Sequence, residues 1–396
     1  MEENRKAIIL GAGIAGTAMA LFLEKIGISS EIFELRSREE TAGGGLNIAP
    51  NGMNVLAELG LAEEIIQSGC PVHEGIFRNA KGKRLAKMLF TDLQKFPQPA
   101  VSMKRQTLVD ILRKTVQTKN IPLYFEKKVK DIVQTDDGKV IVSFDDDTIS
   151  IGDLLIGADG INSVVRKSVA AEIQPEFTGI ISHAGFISRD KLAGLTDREF
   201  RNINFIYGKN GFFGFSGAND KELMWWTNVI SEMPWSKDQL KNIHVDEEKE
   251  VLNKQYGNYC FPVSDIINNA DSYLHINVFD VRFLPVWSHR KIILIGDAAH
   301  AVSPNSGQGA SMALEDAMLL AKLLRDQKEC LSAFSLFEQE RRPRVEKIVL
   351  EGRRRGEDKV VVNGFKQFIR ETMIRIFINL FGSKGNDWLF SYKIKW

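Results

Sequence analysis

The chain has 396 residues, 44% hydrophobic and 26% charged, and its 52 Lys+Arg against 51 Asp+Glu leave a formal charge of +1. That length supports two domains with cores of their own, and the charge balance gives no electrostatic footprint for nucleic acid. Three cysteines, Cys70, Cys260 and Cys330, stand far apart with no CxxC spacing, which argues against a disulfide framework or a metal centre and fits a reducing compartment.

Residues 1–6 are mostly polar and run straight into an apolar segment, with no signal region before it. The longest apolar runs fall short of the ~20 residues of a spanning helix. The expectation is a soluble cytoplasmic protein with no membrane span.

Ala7-Ile8-Ile9-Leu10 is a short apolar run of the kind buried in a parallel sheet. Gly11-Ala12-Gly13-Ile14-Ala15-Gly16 then turns the chain, residues 17–26 have helical length and spacing, and a strand at 31–35 carries Glu34. In that context the glycines read as a dinucleotide-binding turn. Gly11 permits the tight turn, Gly13 lets phosphate approach the backbone, and Gly16 lets helix and strand pack closely. Unpaired amides at the helix start face the pyrophosphate. Glu34 either accepts hydrogen bonds from an adenosine ribose or simply ends a strand at the surface. It disfavours the extra phosphate of NADP but does not separate FAD from NAD.

Gly43-Gly44-Gly45 opens a flexible stretch before a helix-like segment at 53–61, and Arg105, Leu108, Ile111 and Leu112 start an amphipathic helix. A buried strand ends in a tight turn at Asp159-Gly160, with Ser163 and Arg166 following. From 173 to 273 the runs 204–207, 212–215 and 223–229 are short, aromatic and broken by Gly and Asp, as in an antiparallel sheet. Alternation puts Met224, Trp226 and Asn228 on one face, with Phe213 and Phe215 expected beside them on a neighbouring strand. These residues either line an apolar substrate pocket or fill the core behind the sheet.

An apolar strand at 291–295 leads into Gly296-Asp297-Ala298-Ala299-His300, then Pro304, Gly307-Gln308-Gly309 and a helix at about 310–324. His300 reads as a packing residue. Beyond Arg341-Arg342-Pro343-Arg344 the chain reads as helical, with Arg353-Arg354-Arg355 as a solvated face. The apolar tail, including Met373, Phe377, Phe381, Trp388 and Phe390, is expected to pack back over the domain interface.

The motifs at Gly11–Gly16, Asp159-Gly160 and Gly296-Asp297, in this order and spacing, resemble the single-component (class A) FAD-dependent monooxygenases. These include aromatic hydroxylases of the salicylate and urate type and tetracycline-inactivating monooxygenases. The resemblance implies an α/β fold: a Rossmann-like, GR2-type FAD-binding domain from 1–72, 100–172 and 275–350. Residues 73–99 and 173–274 would form an inserted antiparallel-sheet substrate domain, and 351–396 a C-terminal helical segment.

It further implies that Asp297 hydrogen-bonds the ribityl hydroxyls and that Arg105 sits near the ribityl-pyrophosphate region, where its fork of donors suits phosphate oxygens. Val129 would offer backbone hydrogen bonds to adenine. Amides from Gly307 to Ala310 would point at the flavin N1–C2=O edge, and Asp159 would hold a turn where FAD and NADPH come close. Ala12, Ile14, Ala15, Leu35, Arg36, Gly45, Gly296, Pro304 and Gly309 complete the implied cofactor set. Arg105 has the bland alternative of a solvated helix residue.

The implied reaction uses NADPH or NADH as a transient electron donor and O₂ as co-substrate, and hydroxylates an aromatic or polycyclic, polyketide-like molecule through a C4a-hydroperoxyflavin. Antibiotic inactivation falls within that chemistry. No catalytic side chain is assigned, no metal is expected, and a monomer or weak dimer is expected. No second GxGxxG unit occurs, since Gly208, Gly211 and Gly214 have the wrong spacing, which disfavours flavoproteins with a dedicated nicotinamide domain. A reductase or dehydrogenase of the same fold and a non-catalytic flavin-binding protein remain as alternatives.

Overall fold

The computed structural model describes residues 5–40, 43–357 and 364–396. Residues 1–4 of the polar start and the side chain of Phe381 in the tail lie outside that description.

The first apolar run forms β1 (Lys6–Leu10), followed by α1 (Ile14–Lys25), β2 (Ser29–Phe33) and α2 (Pro50–Glu58). The proline at the start of α2 sits where a missing N–H costs nothing. It starts this helix three residues earlier than the sequence spacing indicates. β2 likewise ends before Leu35, which is 61% exposed.

The chain then leaves as the hairpin β3 (Glu74–Asn79) and β4 (Arg84–Leu89), and returns as α3 (Arg105–Thr118) and β5 (Leu154–Gly157). It leaves again as β6 (Glu176–Ser188), β7 (Ile203–Gly208), β8 (Gly211–Gly217) and β9 (Glu222–Ile230). After α4 (Val245–Tyr256) come β10 (Ser272–Asp280) and β11 (Ile292–Leu294). Three long helices follow: α5 (Gly309–Asp326), α6 (Cys330–Glu357) and α7 (Gly364–Gly385).

Two sheets result. The first runs Ser288–His289, β11, β5, β1, β2, Leu123–Tyr124, and is parallel except at the Ser288–His289 edge. The second runs β10-β6-β9-β8-β7-β3-β4 and is antiparallel except where the two excursions meet, β7 lying parallel to β3. The architecture is therefore α/β, with a Rossmann-like sheet and a separate, largely antiparallel one. The expected boundary at 274/275 cuts through β10, which pairs with β6 out to Asp280, so the second sheet extends past it.

Register corrects one expectation about the second sheet. Phe213 lies opposite Thr227 and Phe215 opposite Trp225, while Trp226 faces Gly214. Directly paired residues share a face, so Phe213 and Phe215 point away from Met224, Trp226 and Asn228. Both are fully buried behind the sheet, where the Phe213 ring stacks on Trp225 at 5.8 Å and meets Tyr256 of α4. Gly214 is needed where it stands, because a Cβ there would come 2.5 Å from the Trp226 ring.

The same rear face holds a buried acid between two imidazoles. His183 of β6 and His275 of β10 are paired in register. Both reach Glu248 of α4, at 2.6 and 3.0 Å. Burial alone would raise the Glu248 pKa; the bonds from His183 and His275 outweigh it and hold the value down at about 2, from 4.5. A depressed carboxylate contributes stability above its unfolded pKa and loses it as pH falls through the folded value. Urea titrations should therefore show wild-type stability eroding from pH 4.5 towards 2. Glu248→Gln should be less stable at neutral pH and lose less over that window. Parallel profiles would count against the assignment.

Candidate active site

The dinucleotide turn is fixed by contact as much as by conformation. Gly11 has φ +103°, and a Cβ there would sit 2.4 Å from the Ala158 carbonyl oxygen. At Gly16 it would sit 1.9 Å from the Gly11 carbonyl oxygen. A Cβ on Gly13 would meet nothing within 4 Å, so Gly13 borders open cavity, the place where a phosphate must approach. Glu34 braces the turn: Oε2 accepts from the Ala12 N–H at 2.8 Å and Oε1 from the Arg36 N–H at 3.0 Å.

Asp159 is spent on its own turn. Oδ1 accepts from the Ser163 hydroxyl at 2.6 Å and Oδ2 from the Val164 and Val165 amides, while burial raises its pKa. Arg166, buried, donates to the carbonyls of Ile161 at 2.6 Å and Ala298 at 3.0 Å. It thereby ties the Asp159-Gly160 turn to the loop that carries Asp297.

Gly296, at φ +59°, turns that loop, and Asp297 heads the short helix Asp297–His300. The Asp297 carboxyl is exposed only towards the cavity it lines. Enclosed by protein, it has a pKa raised by burial against the pull of His300 and Arg105. Arg105, at the head of α3, has its N–H on the Gly44 carbonyl at 3.0 Å and its side chain against Gly43.

A charge network that the sequence reading missed holds this loop. Asp316 Oδ2 accepts from the Gly296 N–H at 2.8 Å and lies 2.6 Å from His300 Nε2, while Oδ1 accepts from Arg341 at 2.8 Å. Glu315 accepts from Arg341 at 2.7 Å, from Arg344 at 2.8 Å and from Asn51 at 2.7 Å. Asn51 also donates to Gln308 at 3.0 Å. Burial would raise the Asp316 pKa, but His300 and Arg341 keep it low. The signal was present: Glu315-Asp316 interrupts the apolar stripe of α5, where a charged pair needs partners.

These elements enclose a cavity of about 1110 Å³, beyond the ~300–1,000 Å³ usual for one small ligand. Gly13, Ile14, Ala15, Arg105, Asp297, Pro304, Gly307, Gly309 and Ala310 line one end, and Gly45 lies against the Met224 side chain. Met224, Trp226 and Asn228 line the other, with Phe205, Tyr207 and Ile374, which sequence reasoning had not placed there. Gly11, Ala12, Gly16, Glu34, Asp159 and Gly296 shape the surrounding loops. Leu35, Arg36 and Val129 lie beyond the lining, Val129 opening a separate three-stranded meander (Val129–Gln134, Val140–Phe144, Ile149–Gly152).

Arg353–Arg355 is not one solvated face. Arg353 reaches the buried Asp280, while Arg354, its side chain 72% exposed, and the half-buried Arg355 both border the cavity.

The chain belongs to the FAD binding domain family, whose pattern matches residues 4–351. It is 26% identical over 379 residues to an aurachin C monooxygenase/isomerase of Stigmatella aurantiaca, covering 95% of each chain. Its fold is that of Klebsiella pneumoniae HpxO complexed with FAD and uric acid, with TM-score 0.83, 22% identity and 95% and 94% of the two chains covered. It is also that of the tetracycline destructase Tet(55), with TM-score 0.72, 20% identity and 100% and 99% coverage. The residues present fit the cofactor: the open approach at Gly13, the carboxyl at Asp297 and a cavity larger than one small ligand needs all suit FAD.

Removing one partner of a buried ion pair leaves the other uncompensated, at a cost of about 3–5 kcal/mol. Arg341→Met should lose stability on that scale in denaturant titrations, and flavin content should fall with it. A loss below about 1 kcal/mol would show that the network does not hold the loop.

Proposed function

We propose that the protein is an FAD-dependent monooxygenase that uses NADH or NADPH and O₂ to hydroxylate a small aromatic or polycyclic molecule. The observation that carries this is the single cavity joining the dinucleotide turn and Asp297 to an aromatic wall of the second sheet. The family and the named relatives support the reading. When bound, FAD supplies hydride acceptance and oxygen activation. The balance is NAD(P)H, a proton, O₂ and substrate going to NAD(P)⁺, water and hydroxylated product.

This chain's residues hold and orient. Amides at Gly13–Ala15 receive the pyrophosphate at the head of α1, and Glu34, already bracing the turn, faces the adenosine ribose. Val129, Leu35 and Arg36 belong to the adenine end. Asp297 accepts from the ribityl hydroxyls, and Arg105 supplies a cation beside them. The amides of Gly309 and Ala310, at the start of α5, stabilise negative charge on the ring edge they face.

Phe205, Met224 and Trp226 offer the substrate an apolar surface that excludes water. The nicotinamide donor docks transiently on the FAD domain. Among the described residues no helix is long and apolar enough to cross a membrane, and the protein is read as cytoplasmic, a monomer or weak dimer, with no nucleic-acid partner.

Purified protein should be yellow and should consume NAD(P)H and O₂ in equal amounts, faster with a true substrate, whose product gains 16 mass units with the second oxygen leaving as water. Turnover without oxygen uptake would overturn the assignment. Asp297→Ala should weaken flavin retention by about tenfold, the scale of one hydrogen bond to a charged group; unchanged occupancy after gel filtration would remove its role. Trp226→Ala should weaken substrate binding more than flavin binding, and the reverse order would take Trp226 out of the pocket.

A further inference from the structure

The last turn of α6 is pressed against the flavin-side loop. A Cβ on Gly352 would come 3.0 Å from the Ser306 side chain, and one on Gly356 3.0 Å from the Asn305 side chain. Asn305 in turn accepts from Asn228 of β9 at 3.1 Å. Arg355 therefore enters the cavity between that loop and the aromatic sheet wall.

Six arginines lie on α6. Arg341 and Arg344 pair with Glu315, Arg342 with Glu338 and Glu346, Arg353 with Asp280 and Glu176, and Arg354 with Glu351. Arg355 alone has no ion pair among the described residues; its guanidinium donates to the neutral Asn386 Oδ1 at 3.1 Å. Glu351, one turn back, is held by Arg354 at 2.9 Å. Burial works against the Arg355 charge and lowers its pKa, with Glu351 only partly offsetting it.

A guanidinium that lines a cavity together with Tyr207 and Trp226, and whose charge burial disfavours, is costly unless a ligand completes it. A planar fork of donors is completed by two oxygens sharing a negative charge. Resting on the monooxygenase reading above, we infer that the substrate is an aromatic molecule bearing an anionic oxygen, a carboxylate or an acidic enol. Arg355 receives that group, and the ring lies against Phe205 and Trp226. Arg355 is then the specificity-determining residue of the site, and it sets substrate orientation by charge beside the apolar surface of Phe205, Met224 and Trp226.

The test uses flavin-loaded full-length protein and matched ligand pairs. One arm sets hydroxylated aromatic carboxylates against their primary amides; the other sets acidic hydroxy-heteroarenes against their O-methyl ethers. Binding is read from perturbation of the flavin visible band. In wild type the anionic member of at least one arm should bind tenfold or more tightly than its neutral partner, and the arm that shows it identifies the oxygen. Arg355→Met should bring that ratio close to one with flavin content and melting temperature unchanged. Arg355→Lys should keep part of it, and Arg325→Met, at an exposed residue outside the cavity lining, all of it.

Equal affinities in both arms, no binding by any anionic member, or discrimination that survives Arg355→Met overturns the inference. If substrate-stimulated NAD(P)H and O₂ consumption persists in that case, only the inference falls. If no oxygen is consumed with any substrate, the monooxygenase reading falls with it.

Discussion

Arg341 is the point on which the cofactor side of the molecule turns. Its guanidinium is fully buried and grips Glu315 and Asp316 together. Asp316 passes that constraint to the Gly296 amide and to His300, and Glu315 passes it through Asn51 to Gln308. Both loops that flank Asp297 are thus located from the packing of α5 on α6. Such a network need add little net stability, because desolvation offsets much of the attraction. Its effect is geometric: with every partner satisfied, the loops have one low-energy position, as a preorganised site needs.

The second sheet divides its labour by alternation. Trp225 and Thr227 face backwards into a core with Phe213, Phe215 and Tyr256, while Met224, Trp226 and Asn228 face forwards into the cavity. The rear face is closed by α4 and the Glu248 bonds, so the front can carry half-buried aromatics without having to hold the sheet together. The tail closes the remaining side. Ile374 and Ile378 of α7 pack on the cluster around Phe77, Leu85 and Phe212, and Trp396 meets Phe22 at 4.9 Å back on the first domain.

The cofactor end was largely legible in the sequence because its motifs are local. Tight turns and close helix–strand contacts demand glycine at Gly11 and Gly16, and those demands appear as spacing. The facing of Phe213 and Phe215 was not legible. It depends on which residue of β8 lies opposite which residue of β9, and a slip of one position exchanges the faces. The reading of Arg353–Arg355 failed for a simpler reason: consecutive helical residues point about 100° apart, so three in a row cannot share a face. Arg353 finds Asp280, Arg354 stands mostly in solvent at the cavity's border, and Arg355 is half-buried in its wall.

That geometry bears on what the protein must do with water. A charge beside a reacting flavin would ordinarily draw in solvent, and oxygen chemistry there favours a dry enclosure. Asn386 is too weak a partner to neutralise Arg355, so the enclosure is electrostatically complete only with a ligand in place. Gly352 and Gly356, both pressed on the loop of Ser306 and Asn305, put that unmet charge within the reach of α5's head and the aromatic wall together. The same helix that fixes Asp297 through Arg341 therefore also sets, fourteen residues on, the charge a substrate must bring. Cofactor position and substrate orientation are referred to one rigid element, which keeps the reacting atoms in register.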